Sequence, residues 1–370
     1  MAVMNILRKL GPTWPRIVLF VAAFLGLSGC GSTPWQPVWP RGLSRASRAE
    51  LLQTPPMTKP WNDAGRLGAI IQTRHYRIYT TLQSPLQRAL CARVVEAAWR
   101  RFAALVPGTR VHSPLVGYIF RNRKEWAAHV RATAGSLATV YLHIRQGGYE
   151  QNGQFVIWRT GLNEMLSVLA HECWHQLSFR ALQNHLPAWL DEGLATQNET
   201  FYWHNGQPVF TPWRNRTRWD ALQAAYEQGQ LLPLDTLTRT QAGDVIMKAA
   251  PVVRAYYAEV WSFMLFLEHS RYRSRLLRLL DEAHVGKLNR LLAGNGLSQR
   301  DIALQTIRWN SVAGPIFLRD CISRHSAKLR QRYLKFVRRM LVKWPPPPPQ
   351  RRKGATVSDV ARLQHAAGRG

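Results

Sequence analysis

Residues 169–195 read LAHECWHQLSFRALQNHLPAWLDEGLA, and the reading of the whole chain turns on them. The stretch opens with His171-Glu172-Cys173-Trp174-His175, an H-E-x-x-H pattern. It closes with Trp189-Leu190-Asp191-Glu192-Gly193-Leu194-Ala195. Residues four apart on a helix share a face, so His171 and His175 can offer two imidazole nitrogens to one metal ion. Glu172 falls about 100° round the same helix, where a carboxylate reaches a water beside the metal. A catalytic zinc takes three protein ligands and keeps one position open. The third ligand must come from elsewhere, and Glu192, seventeen residues past His175, is the candidate.

A helix here is supported by its neighbours. Leu162, Leu166, Leu169, Cys173 and Leu177 recur at three- and four-residue spacing, which gives a buried seam. Such five-residue patterns also arise by chance on surface helices, so the downstream W-L-D-E-G-L-A segment carries much of the weight. Two other ligands compete with Glu192. Glu199 lies on the same face two turns on, and His185 precedes Leu186-Pro187. Asp191 points elsewhere on its helix and reads as helix-start charge or as support for a ligand.

H-E-x-x-H followed by W-L-x-E-G-x-A resembles the gluzincin metallopeptidases, in particular their aminopeptidase branch and the bacterial peptidase-MA-like domains. The resemblance implies that Glu192 is the third zinc ligand. It also implies a tyrosine on a later helix that stabilises the transition state. Here Tyr257 opens Tyr257-Ala258-Glu259-Val260-Trp261, similar in layout to the family's Y-E-K-G helix, with Tyr256 as the fallback. The implied fold is α+β, a small mixed sheet followed by a mainly helical zincin-like domain, and the resemblance spans roughly residues 76–292. The chain departs from the family in two places. It has no G-x-M-E-N segment before the zinc motif, so amino-terminal trimming is not implied, and Ala258, Glu259 and Val260 replace the residues that follow the tyrosine. The metzincin pattern fails, since it needs Gly and His where this chain has Ser178 and Ala181.

The amino terminus addresses location. Arg8, Lys9 and Arg16 precede an apolar run over 17–25, and Leu27-Ser28-Gly29-Cys30 follows. This is a signal-peptide layout with a run too short to span a membrane comfortably. L-S-G-C resembles a lipoprotein lipobox, which implies cleavage before Cys30, a lipid on its sulfur and attachment to a membrane. Gly31, rather than Asp, points to the outer membrane of a cell envelope. The other cysteines, Cys91, Cys173 and Cys321, are odd in number and imply no disulfide framework. Cys91 and Cys321 could pair, and Cys173 reads as a small core residue.

The net charge is +29, from 50 Lys and Arg against 21 Asp and Glu. It fits anionic surroundings such as lipid headgroups or cell-wall polymer, or a general basic bias spread along the chain. An exported chain with no phosphate loop is expected to have no nucleic-acid partner.

The expected organisation is a signal peptide over 1–29, a tether over 30–67, an α/β subdomain over 68–160, a helical zinc-site domain over 161–342 and a Pro-rich basic disordered tail over 343–370. Strands are expected over 75–81, 116–120, 139–144 and 155–159, the last either as the edge of the cleft, where an extended peptide could add by main-chain pairing, or as part of an ordinary internal hairpin. Helices are expected from Pro85, capped by Ser84, over 123–132, 218–227, 253–270, 274–292, 298–308 and from about 322 to 342. Residues 231–237 read as a connection. Asn205-Gly206 marks a turn. Residues 322–353 hold eleven Lys or Arg and no acid, so this helix and tail read as a headgroup- or polymer-binding element or a solvated face.

These readings lead to a zinc-dependent peptide-bond hydrolase of the cell envelope. Zn2+ would sit on His171, His175 and Glu192, with Glu172 as base, Tyr257 as oxyanion donor and a peptide or protein as substrate. The alternative is an inactive gluzincin-like lipoprotein that binds an anionic envelope partner.

Overall fold

The computed structural model describes residues 20–21, 42–144, 147–245, 248–304 and 307–342. Cys30, the expected lipobox, all of the expected leader save Phe20 and Val21, and the expected tail beyond 342 lie outside the described residues.

The first half of the chain builds a mixed sheet. Its elements are β1 (Phe20–Val21), α1 (Arg45–Gln53), β2 (Met57–Asp63), β3 (Arg66–Gln72), β4 (Tyr76–Thr80), α2 (Pro85–Leu105), β5 (Leu115–Phe120), α3 (Arg123–Thr133), α4 (Ala138–Leu142), β6 (Gly148–Gln151) and β7 (Gln154–Trp158). The strand order is β1-β6-β7-β5-β4-β3-β2. β4, β5 and β7 run parallel in the centre, and every other pairing is antiparallel. Local chemistry sets the helix starts. The Ser84 hydroxyl accepts from the Gln87 N–H at the head of α2, and Asn122 Oδ1 accepts from the Glu125 N–H at the head of α3.

Several expectations are corrected here. Residues 45–63, assigned to the tether, form α1 and β2. The β2–β3 turn is built by Ala64 and Gly65, both at positive φ, with Asn62 Oδ1 accepting from the Gly65 N–H at 2.7 Å. Pro60 is tolerated because β2 is an edge strand. Trp61 packs on the sheet, in edge contact with Tyr79 at 5.4 Å between ring centroids. Residues 139–144, expected as a strand, hold the short helix α4, because stacking of Tyr141 on Tyr149 at 3.8 Å outweighs the β preference of Thr139 and Val140.

Of the two readings of 155–159, the cleft edge is corrected and the internal hairpin holds: β7 pairs with β6 on one side and β5 on the other. Its Phe155-Val156-Ile157-Trp158 run is buried on both faces, as a central strand requires. The strand next to it on the outer side is β6, and β1 pairs with β6 through Phe20↔Glu150 and Val21↔Tyr149.

The second half is mainly helical: α5 (Leu162–Ala181), α6 (Ala188–Thr196), the hairpin β8 (Phe201–His204) and β9 (Gln207–Phe210), α7 (Arg216–Glu227), α8 (Leu234–Arg239), α9 (Ala242–Val245) and α10 (Ala250–Glu268). α11 (Arg273–His284), α12 (Leu288–Gly294), α13 (Gln299–Leu304), α14 (Ile307–Ile316), a π-turn over Phe317–Ile322 and α15 (Ser326–Val342) follow. Asn205 and Gly206 make the β8–β9 turn at positive φ, as their sequence required. Residues 274–292 break into α11 and α12 at Gly286, which sits at φ +76. The connection over 231–237 contains the start of α8.

One apolar core joins the halves. Leu90, Val94 and Phe102 of α2 pack with Leu166, Leu169 and Trp174 of α5, and the cluster continues to Tyr333 of α15. A second cluster, centred on Trp126, Tyr149 and Trp158, fills the opposite face of the sheet under α3 and α4. No boundary in the core falls at residue 160. The chain is α+β in the general sense: a mixed sheet beside a predominantly helical mass. Among the described residues, no helix is long and apolar enough to cross a membrane.

Candidate metal centre

α5 is buried along most of its length, from Met165 to Ser178, so its polar residues face protein rather than water. His171, Glu172 and His175 are all fully buried. α6 starts after Pro187, which cannot donate a backbone hydrogen bond. The Ala188 N–H donates to Asn310 Oδ1 at 2.7 Å, which anchors the entry to the helix. Gly193 then sets how closely α6 meets α10, since a Cβ there would lie 3.0 Å from Met264 Cε and 3.1 Å from the Val260 carbonyl oxygen. This close approach places Glu192 between the histidine pair and Tyr257.

His171, His175 and Glu192 converge. The two Nε2 atoms are 3.1 Å apart, and Glu192 Oε2 lies 3.2 Å from His171 Nε2 and 3.5 Å from His175 Nε2. Ligand bonds of 2.0–2.1 Å at tetrahedral angles put neighbouring ligand atoms about 3.3 Å apart. The three separations match that spacing.

The far side of each ring explains why a cation fits. His171 Nδ1 faces Glu199 Oε1 at 3.0 Å, and His175 Nδ1 faces Asp191 Oδ2 at 3.0 Å. Each carboxylate accepts a hydrogen bond from Nδ1–H, which fixes the tautomer that leaves both Nε2 lone pairs pointing inward. In that tautomer two Nε2 lone pairs and one carboxylate oxygen would face a shared point, a donor set that a cation takes. Glu199 and His185, the rival ligands, are elsewhere. Glu199 supports His171 from behind, and His185 lies in the loop after α5 with its ring 5.9 Å from that of Phe179.

Sequence reasoning missed the layer around these carboxylates. Glu199 accepts from Arg218 Nε at 2.9 Å, Arg218 Nη2 at 2.6 Å and Asn215 Nδ2 at 2.7 Å. Arg218, read only as a helix start, is buried, and its guanidinium lies 4.9 Å from the centre of the Tyr257 ring. Asp191 also accepts from Trp174 Nε1 at 2.7 Å. No spacing in the sequence signals Arg218. Trp174 occupies one of the two free positions of the H-E-x-x-H pattern.

The electrostatics are strongly coupled. Burial pushes the Glu192 carboxyl up, but the two imidazoles outweigh it and bring it down to about 2. Burial likewise opposes the Glu199 charge, and Arg218 and His171 bring that group to about 2. Glu150 of β6 goes the other way. Burial, with the Glu172 and Asp191 charges adding to it, pushes Glu150 up to about 8, against the Gly153 N–H and His175. Glu172, Asp191, Glu192 and Glu199 thus place four buried carboxyl groups around two imidazoles and Arg218, and although burial alone would lower both imidazoles, the facing acids hold them above their ordinary pKa.

Tyr257 is buried on α10, with its hydroxyl 3.4 Å from Glu192 Oε1. The Tyr256 hydroxyl is buried too and has no hydrogen-bond partner among the described residues. Cys173 is a buried core residue, and Cys91 and Cys321 are both free thiols.

Comparison with protein-family models, with curated proteins and with solved structures gave no match. The site therefore stands on its own geometry.

Proposed function

We propose that the protein is a zinc-dependent peptide-bond hydrolase with a gluzincin-like site, acting in the cell envelope on a peptide or protein. The convergence of His171 Nε2, His175 Nε2 and Glu192 Oε2 carries this reading. Bound there, zinc would polarise a carbonyl oxygen and lower the pKa of a water beside it. Glu172, one residue along α5 from His171, would accept the water's proton and pass it to the leaving amine. Tyr257 would donate its hydroxyl to the developing oxyanion once it turns from Glu192. Asp191 and Glu199 would keep both imidazoles aimed.

Access is the remaining requirement, because His171, Glu172, His175 and Glu192 are fully buried. The outer side of β6 carries Phe20–Val21, which belong to the expected leader. Cleavage before Cys30 would remove that strand and leave the β6 edge free to pair with an extended peptide. A lipid on Cys30 would hold the mature protein at a membrane, in keeping with an outer-membrane location.

Metal analysis of the mature protein tests the reading, together with digestion of a peptide library before and after chelation. One zinc per chain and chelator-sensitive cleavage are expected. The complete burial favours a second reading, a metal-holding lipoprotein without turnover. Zinc without any cleavage would support that reading and defeat the first.

A further inference from the structure

A second site lies on the helical side, on elements that give nothing to the metal centre. α11, α12, the π-turn and α15 enclose an open cleft of about 920 Å3. Eight Lys or Arg side chains line it against two carboxylates, Glu282 and Asp320. Asp320 is already paired with Arg319 at 2.6 Å. The cations form two facing rows. Arg275 and Arg278 lie one turn apart on α11, with Arg271 just before it, and Lys328 and Arg332 lie one turn apart on α15, with Arg324 just before it. Among the described residues, Arg278, Lys287, Arg324 and Lys328 have no carboxylate within salt-bridge distance. Leu279, Leu288 and Leu291 form apolar parts of the lining.

The framework is rigid where the charges are placed. Arg275 Nη1 donates to the Ile322 carbonyl at 2.6 Å, and Arg332 Nη1 donates to the Tyr272 hydroxyl at 2.8 Å. These bonds tie the two walls together across the cleft. The π-turn lies between them, and its geometry is rare and recurs at functional sites. A scatter of basic residues due to composition alone would not put two rows face to face around one concavity.

We propose that this cleft binds a ligand carrying two or more phosphate groups. A single phosphate would engage one arginine fork, whereas rows on both walls match several anionic groups held close together. The volume suits a ligand of small-molecule or headgroup size. Such a ligand could be a diphosphorylated lipid headgroup or a soluble polyphosphate, which share this chemistry.

The test measures binding of tripolyphosphate by calorimetry and of phosphatidylcholine vesicles with and without cardiolipin by co-sedimentation, at fixed salt. Wild type is compared with R278Q/R324Q/K328Q and with R74Q/R77Q/R110Q, which removes the same charge from the exposed surface of the sheet half. The cleft triple is expected to weaken tripolyphosphate binding by about tenfold or more, and the control triple by less than about twofold. Parallel loss of cardiolipin-dependent sedimentation identifies a lipid source, and loss for tripolyphosphate alone identifies a soluble one. Should the cleft triple melt below wild type, Lys328→Gln alone carries the comparison, with about threefold weakening expected. Equal losses in both triples would reduce the effect to net charge and overturn the proposal. So would wild type binding neither probe, or binding a single-stranded RNA more tightly than either probe and losing it in the cleft triple.

Discussion

Glu199 Oε1 stands 3.0 Å from Nδ1 of His171, on the side of the ring turned away from Glu192. A carboxylate that sequence spacing offers as a ligand is instead the group that orients His171, a candidate ligand. Arg218 holds it there with two hydrogen bonds. A buried pair of this kind loses most when only one partner is removed.

Glu199→Gln and Asp191→Asn are therefore expected to weaken metal binding about 10- to 100-fold each, without removing an inward-facing atom. Competition with a chromophoric chelator measures this. Unchanged affinity in both variants would show that the imidazoles need no support.

Glu172→Gln should bind zinc as wild type does and lose about 10²- to 10⁴-fold in turnover. Metal content and peptide hydrolysis, measured on the same preparation, separate the two effects. Equal hydrolysis by variant and wild type would remove Glu172 from the mechanism.

Gly193→Ala should destabilise the fold by about 1–3 kcal/mol, because its Cβ would press on the Val260 carbonyl and Met264. Gly294 serves as the control, since a Cβ there would meet nothing within 4 Å, and Gly294→Ala should be neutral or slightly stabilising. Urea unfolding of the two variants decides. A destabilised Gly294→Ala beside a wild-type-like Gly193→Ala would contradict the packing described.

Glu259 gives a pH dependence that can be signed. It is 2 % exposed, accepts one hydrogen bond from the Leu232 N–H at 3.0 Å, and burial pushes it up to about 7. Below its unfolded pKa of about 4.3, folded and unfolded chains are both protonated, and stability is full. As pH rises from there to about 7, the folded chain keeps a proton that the unfolded chain has lost, so stability falls, by about 4 kcal/mol in all. Glu259→Gln should remove this loss. Its melting temperature should exceed that of wild type above pH 7 and approach it in acid. A constant offset at every pH would assign the effect to packing.

The legible parts of the chain are those with a local cause. Ser84-Pro85 and Asn205-Gly206 fix a cap and a turn through their own backbone chemistry, and the structure has both. The H-E-x-x-H helix and the E-G helix carry their faces in their spacing, and the three atoms expected to converge do meet. What stays hidden depends on distant partners. Thr139-Val140-Tyr141 favours a strand locally but is helical because Tyr141 finds Tyr149. β7 sits inside the sheet because β5 and β6 flank it, and only its unbroken apolar run Phe155-Val156-Ile157-Trp158 hints at this. Arg218 reaches Glu199 only through a tertiary approach. Met57–Asp63 reads as tether because Pro60 and the Ala64-Gly65 turn disguise an edge hairpin.

The apolar wall shared by α2 and α5 has a practical side. Severing the polypeptide after residue 160 would strip both pieces of their common interior, leaving Leu90 and Val94 on one and Leu166 and Trp174 on the other open to water. Neither piece should be soluble alone, and co-expressed halves should recover solubility only by finding each other.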